Sequence, residues 1–480
     1  MILGSLVPFT KNQLEQIHGE VIELLKTVGV KVVNDKLRRE LQRKGLEVDN
    51  SSKRVKFSLD QIEETIRLIR DDGYLPENGQ ITSGGERFTS VGEKLGFPYG
   101  ISGTPFLYDW SMRKVVKPTR EHLVEIIKVG EAVKEAGVIG APVLMSEVDP
   151  RIERVVALSL LIENTSKPVS IDYYYASQLK YVLELLDLVG QRLILGGGFM
   201  ISPLTLGERT AECLLEELKY GVPAINIGSE PIAGASAPVT TVGTVVLGVA
   251  ELLGGWIIVK ALNQRVKVGG NVVSGVMDMT TSKVCFSTPQ AVVQDAGISQ
   301  LCEEIYNVRN IIIASPAWVD AKTPGIQAVW EKCYKQLALG CPSYNSFHYG
   351  LLDGGRLFCP TQMIIDYEMN NMLQATFRGF QIDEELMAIA DMQRIIETSG
   401  NFLECEHTLR HFRNSMWTPR VMDTTMWRGD SLEKGADKTL LRKAEKAWRD
   451  SLRKYRPVHR SSEIMRQARD IIRRAKEELL

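Results

Sequence analysis

The sequence predicts a mixed α/β chain: a (β/α)8 TIM barrel with an N-terminal helical and hairpin extension and a C-terminal helical tail. Three observations carry this expectation. The 480 residues are 44% hydrophobic and 24% charged, a composition that can bury a large core. After Pro118-Thr119 the chain alternates short apolar runs with longer stretches of helical periodicity. That alternation occurs eight times, and strands separated by helices imply a parallel sheet with right-handed crossovers. Eight such units fit a closed barrel better than an open, doubly wound sheet.

Residues 1–117 read as a layer of helices and hairpins packed on the barrel. Thr10 can cap a helix through Thr27, with Leu14, Ile17, Val21, Leu24, Leu25 and Val28 near helical spacing and Gly29 ending it. Asn34 can cap a second helix through Lys44, stopped by Gly45; residues 53–57 are strand-like, and Ser58 opens a helix through Arg70. From 81 to 117, short extended runs are broken by Gly84-Gly85, Gly92, Gly96, Gly100, Gly103 and Pro105, a pattern of hairpins or long loops.

Residues 118–430 form the predicted barrel. Its strands are Val138–Met145, Pro168–Tyr173, Arg192–Phe199, Val222–Ile227, Val266–Val273, Asn310–Ala314, Ser343–His348 and Asn401–Cys405. Helical stretches lie between them near 151–164, 177–189, 206–220, 239–263, 288–307, 324–339 and 361–398. Residues 431–480 form a helical tail with fifteen Lys/Arg against eight Asp/Glu. The whole chain has a net charge of -1, so no global field attracts nucleic acid or an anionic membrane. The basic tail reads as a solvated helix face folded back on an acidic body, or as a docking surface for another subunit or an acidic partner.

Seven scattered cysteines with no CxxC spacing predict reduced thiols, no disulfide frame and no metal site. Met1 to Phe9 lacks the basic region and cleavage site of a secretion signal, so a cytoplasmic location is expected. Val239 to Val259 is long and apolar enough for a membrane span, but Glu251 at its centre and the flanking strand-like runs favour a buried crossover helix.

In a barrel the chemistry sits on the loops that follow the strands. That rule assembles Met145 and Glu147; Asp172 and Tyr173 to Tyr175; Phe199 and Ser202; Ser229 and Glu230; Ser274 and Asp278; Trp318, Asp320 and Lys322; Asn345, His348 and Tyr349; and Glu404 and His407. His348 stands between aromatics at this rim, while Asp278 and Asp320 fit equally as helix caps. The runs Gly196-Gly197-Gly198, Gly269-Gly270 and Gly354-Gly355 match no phosphate-binding pattern; they fit strand ends where a ligand approaches the backbone. His407 and His411 are four apart, but no Glu lies between them as in HExxH, and capping or ion pairing is the simpler role. Phe97, Tyr99, Phe106, Tyr108 and Trp110 crowd the segment before the barrel, and aromatic faces around a small cavity bind quaternary ammonium groups.

Several of these motifs resemble the trimethylamine methyltransferase family of corrinoid-dependent methyltransferases. The resemblance runs over most of the chain and rests on Gly228-Ser229-Glu230-Pro231 through Thr240, Ala250-Glu251-Leu252-Leu253, Asp278 with Thr288-Pro289-Gln290, Asp320-Ala321-Lys322, Glu331-Lys332, Glu404 with His407-Thr408, and His411-Phe412-Arg413. Members of that family using trimethylamine carry pyrrolysine after the seventh strand. This chain has none, and His348, within Gly340 to Gly355, is the best match to that position. The chain therefore looks like the non-pyrrolysine branch, whose activities include demethylating glycine betaine.

The resemblance implies methyl transfer from a quaternary amine, glycine betaine foremost, to cobalt(I) of a corrinoid (cobalamin) carried by a separate corrinoid protein, leaving dimethylglycine. Carnitine, proline betaine and butyrobetaine are alternative donors, a homo-oligomer is expected, and the basic tail becomes a candidate surface for docking the corrinoid protein or another subunit. A quaternary ammonium already carries a neutral leaving group, so the enzyme needs only to orient and desolvate it. His348 and Asp278 are the expected catalytic residues. Phe97, Tyr99, Tyr173, Tyr174 and Tyr175 are expected to cage the cation, with Asn345 and His348 on the carboxylate, and Phe199, Glu230 and Trp318 are expected as further substrate contacts. Two other classes fit the same pattern: a barrel lyase with Lys322 or Lys260 as Schiff base, and a betaine-binding homologue without turnover.

Overall fold

The computed structural model describes residues 6–72, 97–99, 103–133, 136–193, 195–308, 311–313, 315–339, 349–377, 381–424, 426 and 436–480. Two parallel sheets run through its centre. In one, Phe97–Tyr99, Ala136–Gly140 and Val169–Ser170 pair side by side. In the other, Gly196–Phe199, Ala224–Ser229, Lys267–Val272 and Ile311–Ile313 pair in chain order. The helices Arg120–Ala132, Pro150–Asn164, Ala176–Asp187, Glu208–Lys219, Thr241–Leu262 and Pro289–Glu304 alternate with these strands. This is the crossover connection that parallel pairing demands.

The helix Thr241–Leu262 is apolar on every side, which only a central position tolerates. It is long and apolar enough to cross a membrane, yet 83% of its apolar window is buried inside the molecule. Glycines let its neighbours approach: a Cβ at Gly255 would stand 2.6 Å from Ile227 on the sheet, and one at Gly254 would stand 2.6 Å from Val30 in the N-terminal layer. In that layer Thr10 with Gln13 and Ser58 with Gln61 form reciprocal capping boxes, and Asn34 accepts from the Leu37 N–H at 2.8 Å. The strands Val30–Val32, Glu47–Asp49 and Arg54–Lys56 join Thr205–Leu206, so a loop of the central sheet is stitched into the N-terminal layer.

The tail forms two helices. Ala436–Arg453 packs on Pro360–Phe377 and Arg120–Ala132, while Ser462–Leu479 packs on Pro150–Asn164 and Ala176–Asp187. Arg460 fastens the connection by donating to the carbonyls of Ile162 (3.0 Å) and Thr165 (2.7 Å).

The structure corrects the sequence reading in four places. The described sheets are not closed into a barrel: among the described residues Val169–Ser170 and Gly196–Phe199 belong to separate sheets, each pairing only with its other neighbours. The predicted strand Ser343–His348 lies outside the described residues. Phe97–Tyr99 pairs in parallel ahead of the strand counted as first. Asn401–Cys405 is no strand: the Asn401 side chain accepts from the Glu404 N–H at 3.1 Å and caps the 3-10 turn Phe402–Glu404. The single helix expected over 361–398 is instead Pro360–Phe377, Glu384–Met387 and Ile389–Glu397, the second opened by Asp383 as its cap.

Candidate active site

Five of the six residues of the strand Ala224–Ser229 are buried, and its side chains point in turn to its two faces. Ile225 and Ile227 are buried, Ile227 lies against Gly255 of the helix Thr241–Leu262, and Ser229 donates to Glu251 of the same helix at 2.6 Å. Alternation then turns Asn226, Gly228 and the following Glu230 to the opposite face. Register places Phe199 beside Gly228 on one neighbour and Asn271 beside it on the other, with Gly197 and Gly269 flanking Asn226. The Phe199 ring lies over Gly228, where a Cβ would stand 2.5 Å from its Cδ1. The glycines at 197 and 228 therefore let the Asn226 backbone and the Phe199 ring come close, on a face that also carries two asparagines and one acid.

The polar groups on this face are unusual. The Oδ1 atoms of Asn226 and Asn271 are buried and meet no donor among the described residues, although each residue is only half-buried. Such atoms are rare in folded proteins because their lost hydration is not replaced. Glu230 makes no hydrogen bond or ion pair among the described residues, and burial pushes its carboxyl up to about 7. Glu251 is the contrast. It is fully buried and accepts from Ser229 Oγ (2.6 Å), Ser202 Oγ (2.8 Å) and the Leu204 N–H (2.9 Å), fixing the strand end beside Glu230.

The first sheet ends in a second polar group. Arg154, nearly inaccessible, pairs with Glu153 at 2.5 Å and donates to the carbonyls of Ala141 and Val143 at 3.2 Å each. Burial pushes Asp172 up to about 6, with the Arg154 guanidinium pulling the other way. It pushes the neighbouring Tyr174 up to about 12.

The predicted site residues separate on this frame. Phe199 and Glu230 come together with Asn226 and Asn271. Tyr173 donates its hydroxyl to Glu217, which also accepts from the Gly197 N–H at 3.1 Å. Tyr174 and Tyr175 already face cations: the Arg154 guanidinium lies 5.9 Å and that of Arg209 5.0 Å from the respective ring centres. Trp318 packs edge-to-face on Phe286 at 5.4 Å. Asp278 sits in the turn joining Gly275–Asp278 to Lys283–Cys285, accepting from Thr281 Oγ1 (2.6 Å) and the Thr280 N–H (2.9 Å). Phe97 and Tyr99 belong to the first sheet by their backbones, and their side chains lie outside the described residues, as do Asn345 and His348.

Of the Schiff-base alternatives, Lys260 is buried against Asp72 at 2.5 Å and Lys322 is exposed beside Lys283. Asn226 and Asn271 were missed from sequence. Their signal is a lone asparagine two residues from a glycine on the same face of an otherwise largely apolar strand, in Ala224–Ser229 and Lys267–Val272.

The family model described as trimethylamine methyltransferase (MTTB) matches residues 3–479. The chain belongs to the trimethylamine methyltransferase family. It is 26% identical to the trimethylamine methyltransferase MttB of Desulfitobacterium hafniense strain DCB-2, over 99% of this chain and 95% of that protein. It is 23% identical to MttB of Methanosarcina barkeri strain Fusaro, over 97% of this chain and 94% of that one. It is also 23% identical to the glycine betaine methyltransferase of D. hafniense strain Y51, over 96% of both chains. The chain is thus a methyltransferase of methylamine or betaine type, and within this family its site must handle an alkylated nitrogen.

Proposed function

We propose that this protein transfers a methyl group from a quaternary amine of the betaine class, glycine betaine foremost, to the cobalt(I) of a corrinoid brought by a separate corrinoid protein. The observation that carries the reading is the sheet face of Phe199, Asn226, Asn271 and Glu230, where the asparagine Oδ1 atoms and the Glu230 carboxylate accept from no donor among the described residues. A betaine is a zwitterion. Its trimethylammonium end spreads positive charge over methyl groups that neither donate nor accept ordinary hydrogen bonds, so an aromatic face and a carboxylate suit it. Phe199 and Glu230 supply these. Its carboxylate needs donors, and the terminal amides of Asn226 and Asn271 each offer donor and acceptor together.

In this reading Glu230 and Phe199 hold the cation, the asparagines fix the opposite end, and one N-methyl carbon points out of the strand ends. The corrinoid arrives as the methyl acceptor and supplies the nucleophile. The chain's own residues orient the donor and exclude water, and no proton donor is required because the departing amine is neutral. His348 and Asn345 are proposed as further contacts to the carboxylate. The two parallel sheets are proposed as arcs of one barrel whose strand ends share this mouth. Carnitine, proline betaine and butyrobetaine are the other candidate donors.

The test is to mix the protein with cobalt(I) cobalamin and each of glycine betaine, carnitine, proline betaine, butyrobetaine and trimethylamine, following cobalamin methylation by absorbance. Methylation by a betaine is expected. Reaction with trimethylamine and with no betaine would refute the substrate assignment.

A further inference from the structure

The segment 381–417 is built unlike the rest of the molecule. It contains the helices Glu384–Met387, Ile389–Glu397 and Glu406–Ser415, yet only Ile395 and Cys405 in it are buried. Its large apolar side chains face solvent: Leu403 is 89% exposed, Ile382 76%, Ile396 73%, Leu409 73% and Met416 69%. A segment of this length with two buried side chains has too little interior to offset the entropy of ordering it. An exposed apolar run of this size on one copy marks an interface.

Its internal bonds close it on itself. Glu385 receives Arg410 at 3.1 Å and lies 3.2 Å from His411, tying the first helix to the last. The chain rejoins the body just beyond, where Glu368 accepts from the N–H groups of Arg420 (2.6 Å) and Val421 (3.0 Å). The arm has the opposite charge to the tail. Residues 381–424 hold eight Asp/Glu, four Arg and no Lys, a net charge of -4, while residues 436–480 hold fourteen Lys/Arg against seven Asp/Glu, a net +7. The tail helices turn their apolar faces to their own body. Lys438, Arg442, Lys443, Lys454 and Arg456 are left exposed and make no ion pair among the described residues.

We propose that residues 381–417 form an arm that docks on a second copy of this chain, laying its apolar, acidic surface against the basic outer face of that copy's Ala436–Arg453 helix. One sequence then supplies both halves of a heterologous contact, which closes into a ring when the rotation between copies permits. The apolar side chains provide the affinity, and the opposed charges set orientation and rate of encounter.

Light scattering coupled to size exclusion tests this on the full chain. The expected mass is a whole-number multiple of 53.7 kDa. The double variant Leu403→Asp/Leu409→Asp should lower the self-association constant by about 100-fold or more, leaving a monomer at micromolar concentration. Both positions are exposed in a single copy, so its circular dichroism should match the wild type. Arg442→Glu/Lys443→Glu should weaken assembly in a salt-dependent way. A wild-type monomer would overturn the proposal, as would undiminished assembly of the leucine variant. A monomer that gains mass only when a cobalamin-binding protein is added would also overturn it, assigning the arm to that partner.

Discussion

Replacing Glu230 by glutamine removes one charge and keeps the shape, and it should move ligand affinity and stability in opposite directions. Burial alone raises the carboxyl from 4.5 to about 7, which corresponds to about 3 kcal/mol held against the ionised form. The sign follows from linkage. Between pH 4.5 and 7 the unfolded chain ionises this group while the folded chain keeps it protonated. Its contribution to stability is therefore complete below pH 4.5, is lost as pH rises to 7, and is flat above. E230Q has no such group, so its urea midpoint should exceed that of the wild type at pH 8 and match it near pH 4.5.

Affinity runs the other way. A quaternary cation binds the ionised carboxylate, so wild-type affinity for glycine betaine should fall by about tenfold per pH unit below 7, or about 100-fold by pH 5. E230Q should bind weakly and without pH dependence at both values. Titration calorimetry at pH 5, 6, 7 and 8 measures this. Equal affinity of wild type and variant at pH 8 would refute the role given to Glu230, and so would a flat wild-type profile.

Other replacements test the surrounding frame. Glu251→Ala strands two hydroxyls and one N–H in the interior, and should cost about 2–4 kcal/mol in urea unfolding while lowering turnover through the displaced Ser229. Gly228→Ala puts a methyl 2.5 Å from the Phe199 ring, so KM for the quaternary amine should rise several-fold with little change in far-UV dichroism. Lys332→Met leaves Asp366 buried without its ammonium partner at 2.5 Å, and should destabilise the protein by about 3–5 kcal/mol in the same unfolding assay. Asp278→Ala loses only a turn contact, so methyl transfer should stay within a few-fold of wild type; a loss of 100-fold or more would return Asp278 to the catalytic set.

The elements legible in the sequence are those whose cause is local. Thr10, Asn34 and Ser58 open helices because their side-chain oxygens satisfy backbone N–H groups three residues on, a relation visible in any seven-residue window. The alternation of Ala224–Ser229 and Lys267–Val272 with helices was equally readable. Phe97–Tyr99 was not: it holds a proline, lacks a ladder donor there, and becomes a strand only through its partner Ala136–Gly140. Asn401–Cys405 failed for the opposite reason, because the apolar pair Phe402-Leu403 imitates a strand while the Asn401 side chain fixes a turn. The site divides the same way. Glu230 follows from its position after a strand, whereas Asn226 and Asn271 matter only because register sets three glycines beside them.

The acids of the matched motifs can be sorted by what they accept. Asp320 accepts from the N–H groups of Phe286 and Ser287 at 3.0 Å each, and Glu331 accepts from the Asp320 N–H at 2.6 Å and from Ser287 Oγ at 2.9 Å. Asp278 holds a hairpin turn and Glu251 holds a strand end. Each of these carboxylates shapes a loop at the C-terminal end of a strand, so its presence in a motif reflects architecture and says little about substrate. Glu230 differs from these four: it is buried, accepts from no donor among the described residues, and lies on the same sheet face as Asn226 and Gly228. A buried acid with no partner destabilises the empty protein, and a ligand cation is the group that would reverse that cost. Glu230 and its sheet face therefore select the substrate in the proposed function, and the aspartates that the strand-end rule alone would rank beside it do not.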